Sequence, residues 1–167
     1  MPKFNTSHVV LGIILIILLY IGGTYNNLIG KSNARDTAWS QVENNFQSRF
    51  DLIPNLAAIA NKAADFEKST FTEIAEARSA WQNAGNTNAK IAAGQRFDTV
   101  FSRLLGTFEN YPKLTATKGY LTFQSQLEGV ENRLRVARKD FNDATLKLNN
   151  VVMKFPSNII AGIFNFE

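Results

Sequence analysis

The chain has 167 residues, 45% hydrophobic and 19% charged, which supports one cored domain with an appendage and excludes a disordered composition. It has no cysteine, so disulfides, thiolate metal sites and cysteine nucleophiles are excluded together. The net charge of +4 suits anionic lipid as well as nucleic acid and selects neither.

From Phe4 to Gly30 no residue carries a formal charge, apart from His8 at low pH. Within HVVLGIILIILLYIGGTY, His8 to Tyr25, the apolar heart is Val9 to Ile21. A helix needs about 20 residues to cross a bilayer core. The strongest run is shorter, and Phe4, Tyr20 and Tyr25 supply interfacial aromatics at its flanks. The expectation is a retained, single-pass membrane anchor. A cleaved signal peptide would need a small-x-small site, and Ile21-Gly22-Gly23-Thr24 is a poor one. A buried core helix is the third reading. Lys3 on one side and Lys31 and Arg35 on the other nearly balance, so charge sets no side for the soluble part.

Beyond the anchor the pattern is helical throughout. A first segment, about Asn33 to Arg49, places Ala38, Trp39, Val42, Phe46 and Phe50 on one face, with Ser32 or Asn33 as its cap. A second starts with Asp51 as N-cap and Pro54 in its first turn, with a kink at Pro54 as the alternative. Its stripe continues through Leu56, Ile59, Ala60, Ala63, Phe66, Thr70, Ile74 and Ala77 to Trp81, and Gly85 is the expected C-cap. A third runs from about Asn88 to Asn110 on Ile91, Phe97, Val100, Phe101, Leu104, Leu105 and Phe108, and Tyr111-Pro112 ends it.

The fourth segment is the clearest. Tyr120, Phe123, Leu127, Val130, Leu134, Ala137, Phe141, Ala144, Leu148, Val151 and Phe155 follow a 3-4-3-4 spacing without a fault. Pro156 stops it. Each segment carries its own stripe, so an intramolecular bundle satisfies all four where a dimeric coiled coil would satisfy one. The expected fold is all-α: an N-terminal transmembrane helix followed by an elongated antiparallel four-helix up-down bundle. Residues 1–30 form the tail and anchor, 31–155 the bundle, and 156–167 an apolar C-terminal tail.

Several stretches together resemble one family. YNNLIG (Tyr25–Gly30), RFDLIPNL (Arg49–Leu56), EARSAW (Glu76–Trp81), the FENYPKLTA region (Phe108–Ala116), LEGVENRLRVARKDFND (Leu127–Asp143) and FPSNIIAGIFNF (Phe155–Phe166) resemble, in order, the LemA family of bacterial membrane proteins. The resemblance implies one N-terminal transmembrane helix and a helical bundle, in a bacterial cell membrane. It implies no reaction, because the family has no agreed activity. The chain departs from the family pattern at Ser48, where a second basic residue is common. It departs at Lys62-Ala63-Ala64 and Phe66-Glu67, where Gly-Tyr-Ala and His-Glu are common, and at Asn165-Phe166, where Gly-Phe is usual.

Chemistry-bearing patterns are scarce. His8 is the only histidine, which closes the Glu-x-x-His metal sites of helical bundles. Glu73, Glu76, Glu128 and Glu131 read as solvated or ion-paired rather than as a carboxylate metal site. No cofactor and no catalytic residue is expected. Glu76, Arg78, Glu131 and Arg138 are expected to form an interhelical ion network. RLRVARK is flanked by Glu128, Glu131, Asp140 and Asp143 and reads first as helix-edge ion pairing. Its sharper reading is a patch of Arg133, Arg135 and Lys139 facing lipid or an acidic partner.

The last apolar residues, Phe155, Ile159, Ile160, Ile163, Phe164 and Phe166, form one face if Ser157 or Asn158 caps a final turn. They are expected to fold back on the bundle's end, with a neighbouring subunit or the membrane interface as the alternatives. The functional expectation is a non-enzymatic, membrane-anchored interaction or scaffold protein of the cell envelope. The alternative is a self-assembling structural protein that forms homo-oligomers and organises or remodels membrane. Membrane lipid, a second copy of the chain and an unidentified protein are the expected partners, and nucleic acid is not.

Overall fold

A computed structural model describes residues 6–166, so the expectations placed on Lys3 and Phe4 lie outside the described residues. The chain is all-α, with no strand among the described residues. Among the described residues seven helices follow in order: α1 (Thr6–Phe50), α2 (Ile53–Ala60), α3 (Ser69–Gln82), α4 (Thr87–Glu109), α5 (Pro112–Thr115), α6 (Lys118–Val152) and α7 (Ser157–Ile163).

The apolar start of α1 is long and apolar enough to cross a membrane, and none of its most apolar 18 residues is buried. Contrary to the expected fresh start at Ser32 or Asn33, α1 is continuous through this region. No proline interrupts it, and the single Gly30 costs a helix only about 1 kcal/mol.

Two compact units divide the chain. One comprises Glu43–Leu134; the other comprises the residues up to Val42 together with those from Arg135 onward. The boundary expected between residues 30 and 31 falls inside α1.

The unit Glu43–Leu134 is a helical bundle with two groups of rings in its core. Phe46, Phe50, Trp81, Phe97 and Phe101 form the first. Phe66, Phe71, Phe108, Tyr111, Tyr120 and Phe123 form the second. α3 and α4 pack as an antiparallel hairpin across a short turn, with the Asn86 side chain accepting from Ala89 N at 2.8 Å to cap α4. Gly85 is not the C-cap of α3; that place is taken by Asn83 in the right-handed helical region.

The expected second helix is in fact two. The chain leaves the helix after Ala60 and re-enters at Ser69. Phe66 instead meets Phe108 at 4.6 Å and Tyr111 at 4.9 Å in tilted ring contacts, and is 4% exposed. The Tyr111 hydroxyl donates to Asp65 O at 2.9 Å, using a carbonyl that an unbroken helix would keep for itself. Pro54 lies in the first turn of α2, as expected, but Asp51 does not cap it: the N-cap is Leu52, and Asp51 accepts from the Gln47 side chain instead. On α4, Ile91 is exposed and Gly94 takes the core-facing place, close against the Phe46 ring.

In the other unit, the seam of α6 continues through Ala137, Phe141, Ala144, Leu148 and Val151, all buried or half-buried. Phe155 breaks the expectation. α6 ends at Val152, and Phe155 lies beyond it and is 81% exposed. A residue before proline is pushed out of the helical region, which removes the last seam position. Trp39 of α1 meets Phe141 at 5.0 Å.

Candidate functional site

Two features of the fold stand out: a buried arginine in the bundle, and the junction of the C-terminal tail with α1.

Arg49 lies on the same face of α1 as Phe46 and Phe50 and is 5% exposed. Its guanidinium carbon sits 4.7 Å from the Phe101 ring centroid and 5.2 Å from that of Phe97. Its Nη1 donates to Asp98, and its Nε lies 2.7 Å from Glu131 Oε1, a charge contact without hydrogen-bond alignment. The flat cation is thus held between two ring faces and two carboxylates, an arrangement that suits guanidinium better than ammonium. The cluster sets two carboxylates against one guanidinium, so the arginine's charge is fully matched. Among the described residues no group of three or more His, Cys, Asp or Glu is arranged to hold a metal ion.

The other site residues named from sequence are placed as follows. Glu131 carries the ion pair to Arg49, and the Arg78 guanidinium lies 5.6 Å from the Phe50 ring centroid. Glu76 on α3 and Arg138 on α6 are exposed. Glu73 pairs with Arg103 at 2.8 Å. Arg133, Arg135 and Lys139 all point outward from α6. Arg133 lines a groove of about 570 Å³ with Ser48, Asp51, Asn55 and Gln126. Lys139 bonds Asp143 one turn on, at 2.6 Å. That hydrogen bond, with the pair's mutual attraction, holds the Lys139 ammonium above its ordinary range and the Asp143 carboxyl below its own.

Sequence reasoning singled out neither Arg49 nor Asp98 as a site residue. A signal was present: Arg49 is three residues past Phe46 and one before Phe50, on the apolar stripe, and Asp98 directly follows Phe97. What periodicity could not supply is that two residues 49 apart in sequence meet.

The tail junction is built from α7. Ile160 and Ala161 are buried against Leu28 of α1 and Leu148 of α6, with Ile21, Val151, Val152 and Phe166 around them. Tyr25 meets Phe164 at 4.7 Å and Phe166 at 5.9 Å between ring centroids. Ser157 does not cap α7. Its hydroxyl reaches Val151 O at 2.6 Å and Lys154 O at 2.8 Å, serving carbonyls left over at the end of α6. The chain closes α7 with Asn165 at φ 54°, while Phe166 N donates to Ala161 O and Asn165 N reaches Gly162 O. This is a Schellman ending with its usual apolar contact, here Phe166 beside Ala161. Four of the expected docking residues divide in consequence: Ile160 is buried and Phe166 half-buried, whereas Ile159 and Ile163 face outward.

Comparison with known proteins adds the following. The sequence model of the LemA family matches residues 38–167. Magnetosome protein MamQ 2 of Paramagnetospirillum magneticum is 24% identical over 169 residues, covering 86% of this chain and 62% of that protein. Protein LemA of Metamycoplasma hominis is 24% identical over 156 residues, covering 89% of this chain and 71% of that protein. Magnetosome protein MamQ of Magnetospirillum gryphiswaldense is 22% identical over 169 residues. This chain therefore spans about six tenths of the MamQ proteins it matches.

Proposed function

The chain belongs to the LemA family, and from that premise we propose that it is a non-enzymatic, single-pass membrane protein of the cell envelope whose helical bundle serves as an interaction scaffold. The observation that carries this reading is the bare apolar start of α1. Val9 to Tyr20 runs on one helix with its large side chains exposed all round, and none of the other described residues covers them. In water such a surface would be costly at roughly 25 cal/mol per Å². In a bilayer it is the surface that the solvent requires. The interior of the bundle is occupied by rings and by an arginine already matched with carboxylates, which leaves the outer helix faces as the surfaces open to partners.

The reading is tested by extracting membranes of cells expressing the full chain with alkaline carbonate. The wild type is expected to stay in the pellet, and a Leu15→Arg, Leu19→Arg double variant to move to the supernatant or fail to insert, since an arginine at a helix centre costs about 2.5–3.5 kcal/mol on insertion scales. Release of the wild type by carbonate would overturn the anchor. Size measurement in mild detergent then separates a monomeric scaffold from a self-assembling protein that organises membrane.

A further inference from the structure

α7 buries one face and leaves a second apolar face uncovered. Ile160 and Ala161 pack inward. Ile159 and Ile163 point outward, joined by the exposed part of Phe164 beside Tyr25 and by Met153 and Phe155 ahead of α7, with Ile163 67% exposed. Singly such residues would be ordinary; here they fall within one short segment, Met153 to Phe164.

The position of that face along α1 identifies what covers it. The outward apolar run of α1 begins at Val9, and Ile21 is where its burial begins, against the α7 cluster. From Val9 to Tyr20 the helix rises only about 18 Å, at roughly 1.5 Å per residue. A hydrocarbon core of about 30 Å needs about 20 residues. Counted from Val9, the twentieth residue is Leu28, the α1 residue buried against Ile160 and Ala161. No formal charge intervenes before Lys31. A bilayer thick enough to enclose the apolar run therefore ends at the level where α7 is docked, with Tyr25, Phe164 and Phe166 clustered there as interfacial aromatics.

We propose that α7 lies in the membrane interface, with Phe155, Ile159, Ile163 and Phe164 set among lipid headgroups and the upper acyl chains, as a second membrane contact beside the anchor. The proposal rests on the anchor reading above. Lipid is favoured over a second copy because the face continues the lipid-exposed surface of α1 at its outer end. Lys154, exposed beside Phe155, places a cation where anionic headgroups lie.

The absence of cysteine makes labelling clean. Single variants Phe155→Cys, Ile159→Cys, Ile163→Cys, Ile14→Cys and Asn142→Cys of the full chain would carry a nitroxide in nanodiscs of mixed zwitterionic and anionic lipid. Each would be read by collision with oxygen, which concentrates in lipid, and with a water-soluble nickel chelate. All five positions are exposed, so the label displaces nothing the fold uses. The expected result is an oxygen-to-nickel ratio at 155, 159 and 163 several-fold above that at 142 and below that at 14. Aqueous values at the tail positions with a lipid value at 14 would overturn the tail inference and leave the anchor standing. An aqueous value at 14 would overturn the anchor and this inference with it. Shielding of the tail labels from both reagents would show a protein partner, such as a second copy, and would also overturn it.

Discussion

Arg49 occupies a helix face otherwise given to Val42, Phe46 and Phe50, and its burial is tolerable only because the charge is matched. Asp98 and Glu131 supply the counter-charge while Phe97 and Phe101 flank the cation. Breaking a buried pair can cost 3–5 kcal/mol, but here the carboxylate side chains are 32% and 42% exposed and can recover water. Arg49→Ala is therefore expected to cost about 2–3 kcal/mol, and Arg49→Met less, because it keeps the apolar stem in place. Urea unfolding followed through Trp81 fluorescence in a Trp39→Phe background separates the two, and a Met variant as damaged as the Ala variant would show that the charge rather than the stem dominates. Asn165 makes a second case. Its φ of 54° is a left-handed geometry that Gly and Asn adopt with least strain. Asn165→Gly is expected to leave the tail's stability unchanged or slightly raised. Asn165→Val is expected to lower it by about 1–2 kcal/mol, read as faster amide exchange at Phe166.

Helix by helix, what could be read from sequence is what depends on neighbours in sequence. The α6 seam is buried or half-buried from Tyr120 through Val151, because a 3-4 spacing fixes a face whatever it packs on. Its failure at Phe155 is local too, and follows from Pro156. The break at 61–68 was not legible. Phe66 fits the helical stripe, and only its distant contacts with Phe108 and Tyr111 pull it out. The tail's inward half shares this limit: the spacing grouped its apolar residues, but only the fold divides Ile160 from Ile159. α4 offers a test of the same distinction, since it contains two glycines that look alike in sequence. Gly106 has open space around the place of a Cβ, whereas a Cβ on Gly94 would meet the tip of the Phe46 ring at 2.8 Å. That ring cannot easily yield, being packed against Trp81, Phe50 and Phe97. Gly106→Ala is expected to stabilise by up to about 1 kcal/mol through helix propensity. Gly94→Ala gains the same propensity and loses about 1–3 kcal/mol to overpacking, for a net loss. Thermal unfolding of the two variants should move in opposite directions, and equal shifts would refute the packing account.

At the scale of the molecule, α7 rests on α1, so the place to cut a fragment is not where the family match suggests. The family match begins at residue 38, and a fragment started there drops Ile21, Tyr25 and Leu28. Those are the α1 residues on which α7 rests. α7 has only seven helical residues, too few to persist alone. Its remaining support would be Leu148, Val151 and Val152 of α6. Burying one leucine is worth about 1.5–3 kcal/mol, comparable to what a single short helix can contribute in docking. A fragment of residues 38–167 is therefore expected to lose protection across Ser157 to Phe166 in hydrogen exchange, and to expose Leu148 and Ile160 as a new sticky surface. A fragment of residues 21–167 keeps Ile21, Tyr25 and Leu28 and is expected to retain that protection without the exposed apolar run. Equal protection of the tail in both fragments would mean that α6 alone holds it, and would remove α1 from the account of what keeps α7 in place.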